Sequence, residues 1–192
     1  MHYYQILFDA DFCIKLGCSD SYPYLTKTLP LLADVALIHE TVYNEIRQST
    51  SAKRQIKSLL DSGTLKIVSE AVLPVQEQLL YHATFKLLSK RMIDPRYPRK
   101  NLGEVSSLAY AKTMDIAIFA TDEMHLQTIV DELLNTELHK ITCLRIIDII
   151  QAIKARKIQL LQRKDAKLLW IISAKIKEAF DPKIWPLIQQ PS

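Results

Sequence analysis

Residues 4–17 read YQILFDADFCIKLG. The apolar run Ile6–Phe8 ends at two acids, Asp9 and Asp11, with only Ala10 between them. A strand-prone apolar run with polar groups only at its end is the pattern of a strand covered on both faces, as in a parallel sheet. In open sheets of that kind the functional groups gather just past the carboxyl ends of the strands. Asp9 therefore stands where chemistry is expected, although one acid does not say which chemistry.

Further along, apolar runs near Tyr4–Phe8, Val35–Ile38, Leu65–Val68, Ile116–Ala120 and Ile141–Leu144 alternate with helix-period segments. This predicts an α/β fold, a three-layer α/β/α sandwich around a central parallel sheet. The stretch HETVYNEIRQ places Val42 and Ile46 on one helical face, and SAKRQIKSLLDSG is a helix that starts near Ser51 and stops at Gly63. A longer helix is expected from Pro74 to about Arg91, with the proline at its start, where a missing N–H costs nothing. The segment IDPRYPRKN cannot be helical throughout, because Pro95 and Pro98 each push the preceding residue out of the α region. GEVSSLAYAKTMD is again helical, and two further helices are expected over 146–155 and 163–180. The expected organisation is a domain over residues 1–144 followed by a helical C-terminal extension over 145–192 packed on it.

Composition removes several classes of function. The chain has 192 residues, 48% of them hydrophobic and 24% charged, which is an ordinary globular balance with material for a real core. No apolar stretch approaches the roughly 20 residues of a membrane span, and no leader pattern is visible, so a cytoplasmic protein away from membranes is the expectation. Only Gly17, Gly63 and Gly103 occur, so neither GxGxxG nor GxxxxGK[ST] can be written anywhere. His39-Glu40 opens like a zinc-protease motif, but Tyr43 stands where the second histidine is required. Cys13, Cys18 and Cys143 are too few and too scattered for a disulfide framework or a zinc site and read as reduced thiols. The net charge of +4 is unevenly spread: residues 151–192 carry nine Lys/Arg against three Asp/Glu, and residues 1–150 sixteen against eighteen.

Four acids recur at the same kind of place. Asp9 follows the first strand and Asp122 the fourth, in IAIFATDE; Glu45 sits on the helix after the second strand, and Glu104 begins the helix leading into the fourth. With the first and fourth strands adjacent in a right-handed sheet, Asp9 and Asp122 emerge side by side. Four such carboxylates repel one another and require a positive partner. Oxygen-only ligands select a hard cation, Mg²⁺ or Mn²⁺, which suits phosphodiester hydrolysis. Taken singly, each acid is as well explained as a helix cap or a solvated side chain; the order of the set is what points to a site.

On these residues the sequence resembles the PIN-domain nucleases. ILFDADF is similar to that family's opening strand and first acid, VYNEI to its second acidic motif, LGEVSSLAYAKTMD to its third and IFATDEMHL to its fourth, together spanning residues 4 to about 130. The resemblance implies a metal-dependent ribonuclease, an endoribonuclease in which Asp9, Glu45, Glu104 and Asp122 hold Mg²⁺ or Mn²⁺, with Asp11 and Thr121 accessory. It also implies relatives among toxin-type ribonucleases, and with them an inhibitory, antitoxin-like protein partner. The chain departs from the family pattern at Ala10, where Thr is frequent, and at Asp11, often Asn or Ser, and the match fades after about residue 145. The same opening stretch also resembles the DxDx[T/V] start of haloacid-dehalogenase-type phosphatases, with Asp9 as nucleophile. That family wants Thr or Val where Cys13 stands and a later Gly-Asp motif, which is missing. A third reading keeps the PIN scaffold without catalysis, as an RNA- or protein-binding module.

RNA contact is expected from KLLSKRMIDPRYPRK, which runs from Lys86 to Lys100 and carries Lys90, Arg91, Arg96, Arg99 and Lys100 against one acid, Asp94. Such residues supply sequence-independent, salt-sensitive affinity for phosphates, and Tyr97 is placed to stack on an unpaired base. A solvated loop explains the charges equally well. His125, Trp170 and Trp185 read as helix-face and packing residues. After Leu144, Ile146, Ile149, Ile150 and Ile153 make one apolar face and Leu168, Leu169, Ile172 and Ile176 another. These faces are expected to pack on the same chain first, and any remaining exposed part to serve a homodimer.

Overall fold

The structure is a computed structural model and describes residues 1–46, 50–136, 138–173 and 177–187. Five strands form one sheet: β1 (Tyr3–Phe8), β2 (Ala33–His39), β3 (Leu65–Val68), β4 (Ile118–Ala120) and β5 (Thr142–Leu144), in the order β3-β2-β1-β4-β5. Every pairing is parallel. The order places β1 beside β4, as the acid pattern requires.

Alternation along the strands divides the core in two. Ile6 and Phe8 of β1, Ala36 and Ile38 of β2, Ala120 and Leu144 face one layer; Leu7, Leu37, Phe119 and Cys143 face the other. The first layer contains α1 (Ala10–Leu16), α2 (Tyr24–Leu32), α4 (Thr50–Asp61), α8 (Ile146–Lys154) and α9 (Arg163–Ile172). The second contains α5 (Val75–Met92), α6 (Leu102–Thr113) and α7 (Leu126–Leu133). The short α3 (Glu40–Glu45) leaves β2 at the carboxyl edge. Within the second layer α6 is buried over almost its whole length between the sheet and α5, so α5 is the outermost helix. No helix among the described residues is long and apolar enough to cross a membrane.

The differences from the expected elements have local causes. The fourth strand starts at Ile118 instead of Ile116, because Asp115 takes a left-handed backbone (φ 51°) and the Ile116 amide is spent on the carbonyl of Ala111, closing the end of α6. The last long helix ends at Ile172, not Phe180; Phe180–Ile184 follows as a separate turn of π-helix. The expected face residue Ile176 lies outside the described residues. Gly63 (φ 73°) ends the α4 segment as its sequence predicts. Helices α1 and α2 fill the gap between the first two strands; α2 carries Pro30 in its last turn, which hides it from a reading that treats proline as a breaker.

Ile146, Ile149, Ile150, Ile153 and Leu169 are buried in the first core layer, with Leu168 and Ile172 partly covered. The apolar faces that the sequence offered to a second subunit are thus largely occupied within the chain. Cys13 and Cys143 are buried free thiols and Cys18 is exposed.

Candidate functional site

Register aligns the ends of four adjacent strands, β2, β1, β4 and β5. Phe8 lies opposite Ile38 and Ala120, and Ala120 opposite Leu144. The next residue of each strand, Asp9, His39, Thr121 and Arg145, therefore sits at one level on the carboxyl edge. The Asp9 amide donates to the Ala120 carbonyl at 2.9 Å and the Thr121 amide to the Leu144 carbonyl at 3.0 Å, which carries the pairing one step past the strands.

Asp9 is the buried centre, with 2% of its surface exposed. It caps α1: Oδ1 accepts from the Ala10 amide at 2.6 Å, while Oδ2 accepts from the Thr121 hydroxyl at 3.3 Å. Thr121 Oγ1 in turn accepts from the Glu123 amide at 3.2 Å. Burial, then the charges of Glu104 and Asp11, push the Asp9 carboxyl up to about 8, against the pull of its two hydrogen bonds.

Glu104 lies in the first turn of α6, which begins after Asn101 in a left-handed conformation (φ 61°). Burial raises its carboxyl above the ordinary range, and the charges of Glu123 and Asp11 add to that. Glu45, exposed at the end of α3, accepts from the Gly103 amide at 3.1 Å through Oε1; burial of its carboxyl and the charge of Glu104 raise it. Asp9, Asp11, Glu45, Glu104 and Glu123 thus form one electrostatically coupled set with Glu104 at its hub.

Asp122 is held differently. Its carboxyl, 7% exposed, accepts from Lys15 Nζ at 2.9 Å, and the same ammonium reaches Asp11 Oδ2 at 2.7 Å, one helical turn before it on α1. Lys15 is the one residue paired with these acids among the described ion pairs.

Three contributors escaped the sequence reading. Lys15 was signalled by its i,i+4 spacing from Asp11, but its bond to Asp122 spans 107 residues. Gly103 was signalled by a glycine in the first turn of a helix, a costly place for one: a Cβ there would stand 2.7 and 2.9 Å from the two carboxylate oxygens of Glu45. His39, 1% exposed, caps α3 by accepting from the Thr41 amide at 3.2 Å, stacks on Tyr81 and lies 3.3 Å from Glu70 Oε2. Burial lowers its pKa, so it is a neutral cap that fixes the helix carrying Glu45.

The donor set is chemically right for a hard divalent cation, being all oxygen, rich in carboxyl groups and built around a carboxyl that burial and then the neighbouring acids raise above its ordinary range. As the side chains stand, no group of three His, Cys, Asp or Glu residues among those described converges closely enough to hold a metal ion. Asp122 is engaged by Lys15 and Glu45 by the Gly103 amide.

Of the basic residues, Lys90 and Arg91 form the last turn of α5, and Arg99 and Lys100 are exposed in the following loop. That loop is clasped by the Asn101 side chain, which donates to the Met92 carbonyl at 2.9 Å. Arg96 is committed to Asp94, with Nη2 2.7 Å and Nε 3.1 Å from its oxygens, and lies beside the ring of Tyr97, which is 62% exposed. The loop's cationic character therefore rests on Lys90, Arg91, Arg99 and Lys100.

Comparison with known proteins finds no matching family model, no matching curated protein and no matching solved structure.

Proposed function

We propose that the chain is a divalent-metal-dependent ribonuclease of the PIN-like type, hydrolysing phosphodiester bonds at the carboxyl edge of its sheet. The observation that supports this reading is the buried Asp9, set where β1 and β4 end side by side, its carboxyl raised first by burial and then by the charges of Glu104 and Asp11. Asp9 and Glu104 would hold Mg²⁺ or Mn²⁺, with Glu45 and Asp122 completing the oxygen set. Such an ion, when bound, lends Lewis acidity to the hydrolysis.

The chain's own residues do the rest. Thr121 and the Ala10 amide hold the Asp9 carboxyl in one orientation, and Lys15 keeps Asp122 from turning away among like charges. Gly103 leaves room for Glu45 to lie against the start of α6. Lys90, Arg91, Arg99 and Lys100 attract the RNA backbone, and Tyr97 offers a face to an unpaired base.

The test is cleavage of a quenched-fluorophore single-stranded RNA with Mg²⁺, with Mn²⁺ and with EDTA. Cleavage that needs the metal and disappears in Asp9→Asn and Asp122→Asn, both folded, supports the proposal; equal cleavage in EDTA refutes it. The ion pair from Lys15 to Asp122 favours a second reading, in which the scaffold binds RNA without cutting it. Tight RNA binding without metal-dependent cleavage would decide for that. The phosphatase reading requires Asp9 as a free carboxylate nucleophile, which burial opposes, and predicts turnover of a small phosphate monoester.

A further inference from the structure

Helix α8 closes with an arginine where its backbone calls for glycine or asparagine. The Lys157 amide donates to the Ala152 carbonyl at 2.8 Å and the Arg156 amide to the Ile153 carbonyl at 3.1 Å, the paired bonds of a helix end that turns through one left-handed residue. That residue is Arg156 (φ 53°), in a conformation that any side chain with a Cβ resists. The backbone gains nothing from arginine there, so the reason lies with the side chain. Arg156 lines a cleft of about 460 Å³ between the end of α8, the start of α9 and the turn at Trp185. We infer that this cleft binds a nucleoside monophosphate, its phosphate on Arg156 and the outer N–H groups of Arg163 and its base over the apolar floor.

Size, charge and floor select that class of ligand. The volume is that of a small-molecule site and too short for a strand of RNA. Lys154, Arg156 and Arg163 stand around the cleft, and no Asp or Glu lines it. Two of these cations are fixed in place: Lys154 Nζ donates to the Trp185 carbonyl, and Arg163 Nη2 lies 2.8 Å from Asp181 Oδ1. Both stand against the Trp185 ring, 5.6 and 5.7 Å from its centre. Arg156 is exposed and belongs to none of the described ion pairs, so its planar fork is open to the oxygens of a phosphate. The floor is made by Ile153, Ile158 and Leu161, all buried, which a bare phosphate would leave uncovered. Gln159 and Gln162 add side-chain amides that both donate and accept, as the edge of a base does. Helix α8 starts at the carboxyl edge of the sheet and ends here, and Met1, just ahead of β1, donates to the Lys157 carbonyl at 2.7 Å. The cleft therefore lies at the opposite edge from the acids, and the inference does not depend on the ribonuclease reading.

Equilibrium dialysis of the full chain against labelled AMP in EDTA, which silences any metal-dependent cleavage, is the test. Saturable binding of one AMP per chain is expected, with a dissociation constant of about 1 mM or tighter. Arg156→Gly should weaken it at least ~10-fold by removing the charged contact. Glycine suits φ 53°, so that variant should keep its melting temperature, which separates a lost ligand contact from lost structure. Adenosine and inorganic phosphate, each offering half of the ligand, should bind at least ~10-fold more weakly than AMP. The inference is overturned by the absence of saturable binding at about 10 mM AMP, by equal binding in Arg156→Gly, or by inorganic phosphate that binds as tightly as AMP. It is also overturned by an oligoadenylate that binds through Arg156 more tightly than AMP, which would make the cleft an RNA contact.

Discussion

Replacing Asp9 with asparagine is expected to make the metal-free protein more stable at neutral pH while removing its activity. The Asp9 carboxyl is raised from its ordinary 3.8 to about 8, first by burial and then by Glu104. Between those values the native chain keeps a proton that the unfolded chain has released. Its contribution to stability is therefore greatest below pH 4, falls by up to ~1.4 kcal/mol per pH unit as pH rises, and levels off above pH 8. At pH 7 the accumulated cost is on the order of 4 kcal/mol, and local relaxation brings the observable effect to about 2–4 kcal/mol. Asparagine keeps both hydrogen bonds: its Oδ1 accepts from the Ala10 amide, and its Nδ2 donates to Thr121 Oγ1 where the carboxylate accepted. Urea unfolding in EDTA at pH 5, 6, 7 and 8 measures the effect. The variant should gain on the wild type steadily with pH, while Glu104 and Glu45 leave a residual slope in both. A variant that runs parallel to the wild type at every pH would refute the buried-proton argument. The same proton should leave when a cation enters: Mn²⁺ binding to the wild type at pH 7 is expected to release close to one proton, read by calorimetry in buffers of different ionisation enthalpy, and Asp9→Asn to release far less.

Gly103→Ala puts a methyl group against the Glu45 carboxylate and should lower the cleavage rate at least ~10-fold, with a loss of stability under about 2 kcal/mol; an unchanged rate would separate Glu45 from the chemistry. Lys15→Gln leaves Asp122 without its cation and should destabilise the metal-free protein by about 1–3 kcal/mol. Mg²⁺ should raise the melting temperature of that variant more than that of the wild type, and an equal rise would count against Asp122 as part of the cation site. Arg99→Ala with Lys100→Ala should flatten the log–log salt dependence of RNA binding by about 0.7 per lost phosphate contact, whereas Arg96→Ala should change it little because Asp94 already holds that charge; the opposite ranking would move the RNA path off this loop. Leu169→Ala removes a fully buried side chain of the first core layer and should cost about 2–5 kcal/mol in urea unfolding, and a near-neutral result would mean that α9 does not complete the core.

Local chemistry made much of this protein readable. Ile6–Phe8, Ala36–Ile38 and Phe119–Ala120 are uniform apolar runs because a parallel sheet is covered on both faces, and such runs carry their own ends. Gly63 stops its helix through a conformation that other residues resist, and Pro74 starts one where its missing amide is not needed. The order of Asp9, Glu45, Glu104 and Asp122 is likewise legible, since each is placed by an element that the pattern itself defines, two just past strands and two on helices.

The sequence by itself determined the alternation of strands and helices, the sheet type and the positions of the acids along the chain, because those depend on side-chain periodicity over a few residues. Only the tertiary structure decided how the acids are partnered and which apolar faces remain outside. Lys15 meets Asp122 across 107 residues, the Gly103 amide meets Glu45 across 58, and His39 proves to be a helix cap stacked on Tyr81. The C-terminal helices bury their apolar faces, whereas α5 buries Tyr81 and Leu88 and leaves Val75 and Leu79 exposed. Burial, ion pairing and the raised carboxyl of Asp9 depend on what distant segments bring to the same place, and no local pattern of residues encodes that.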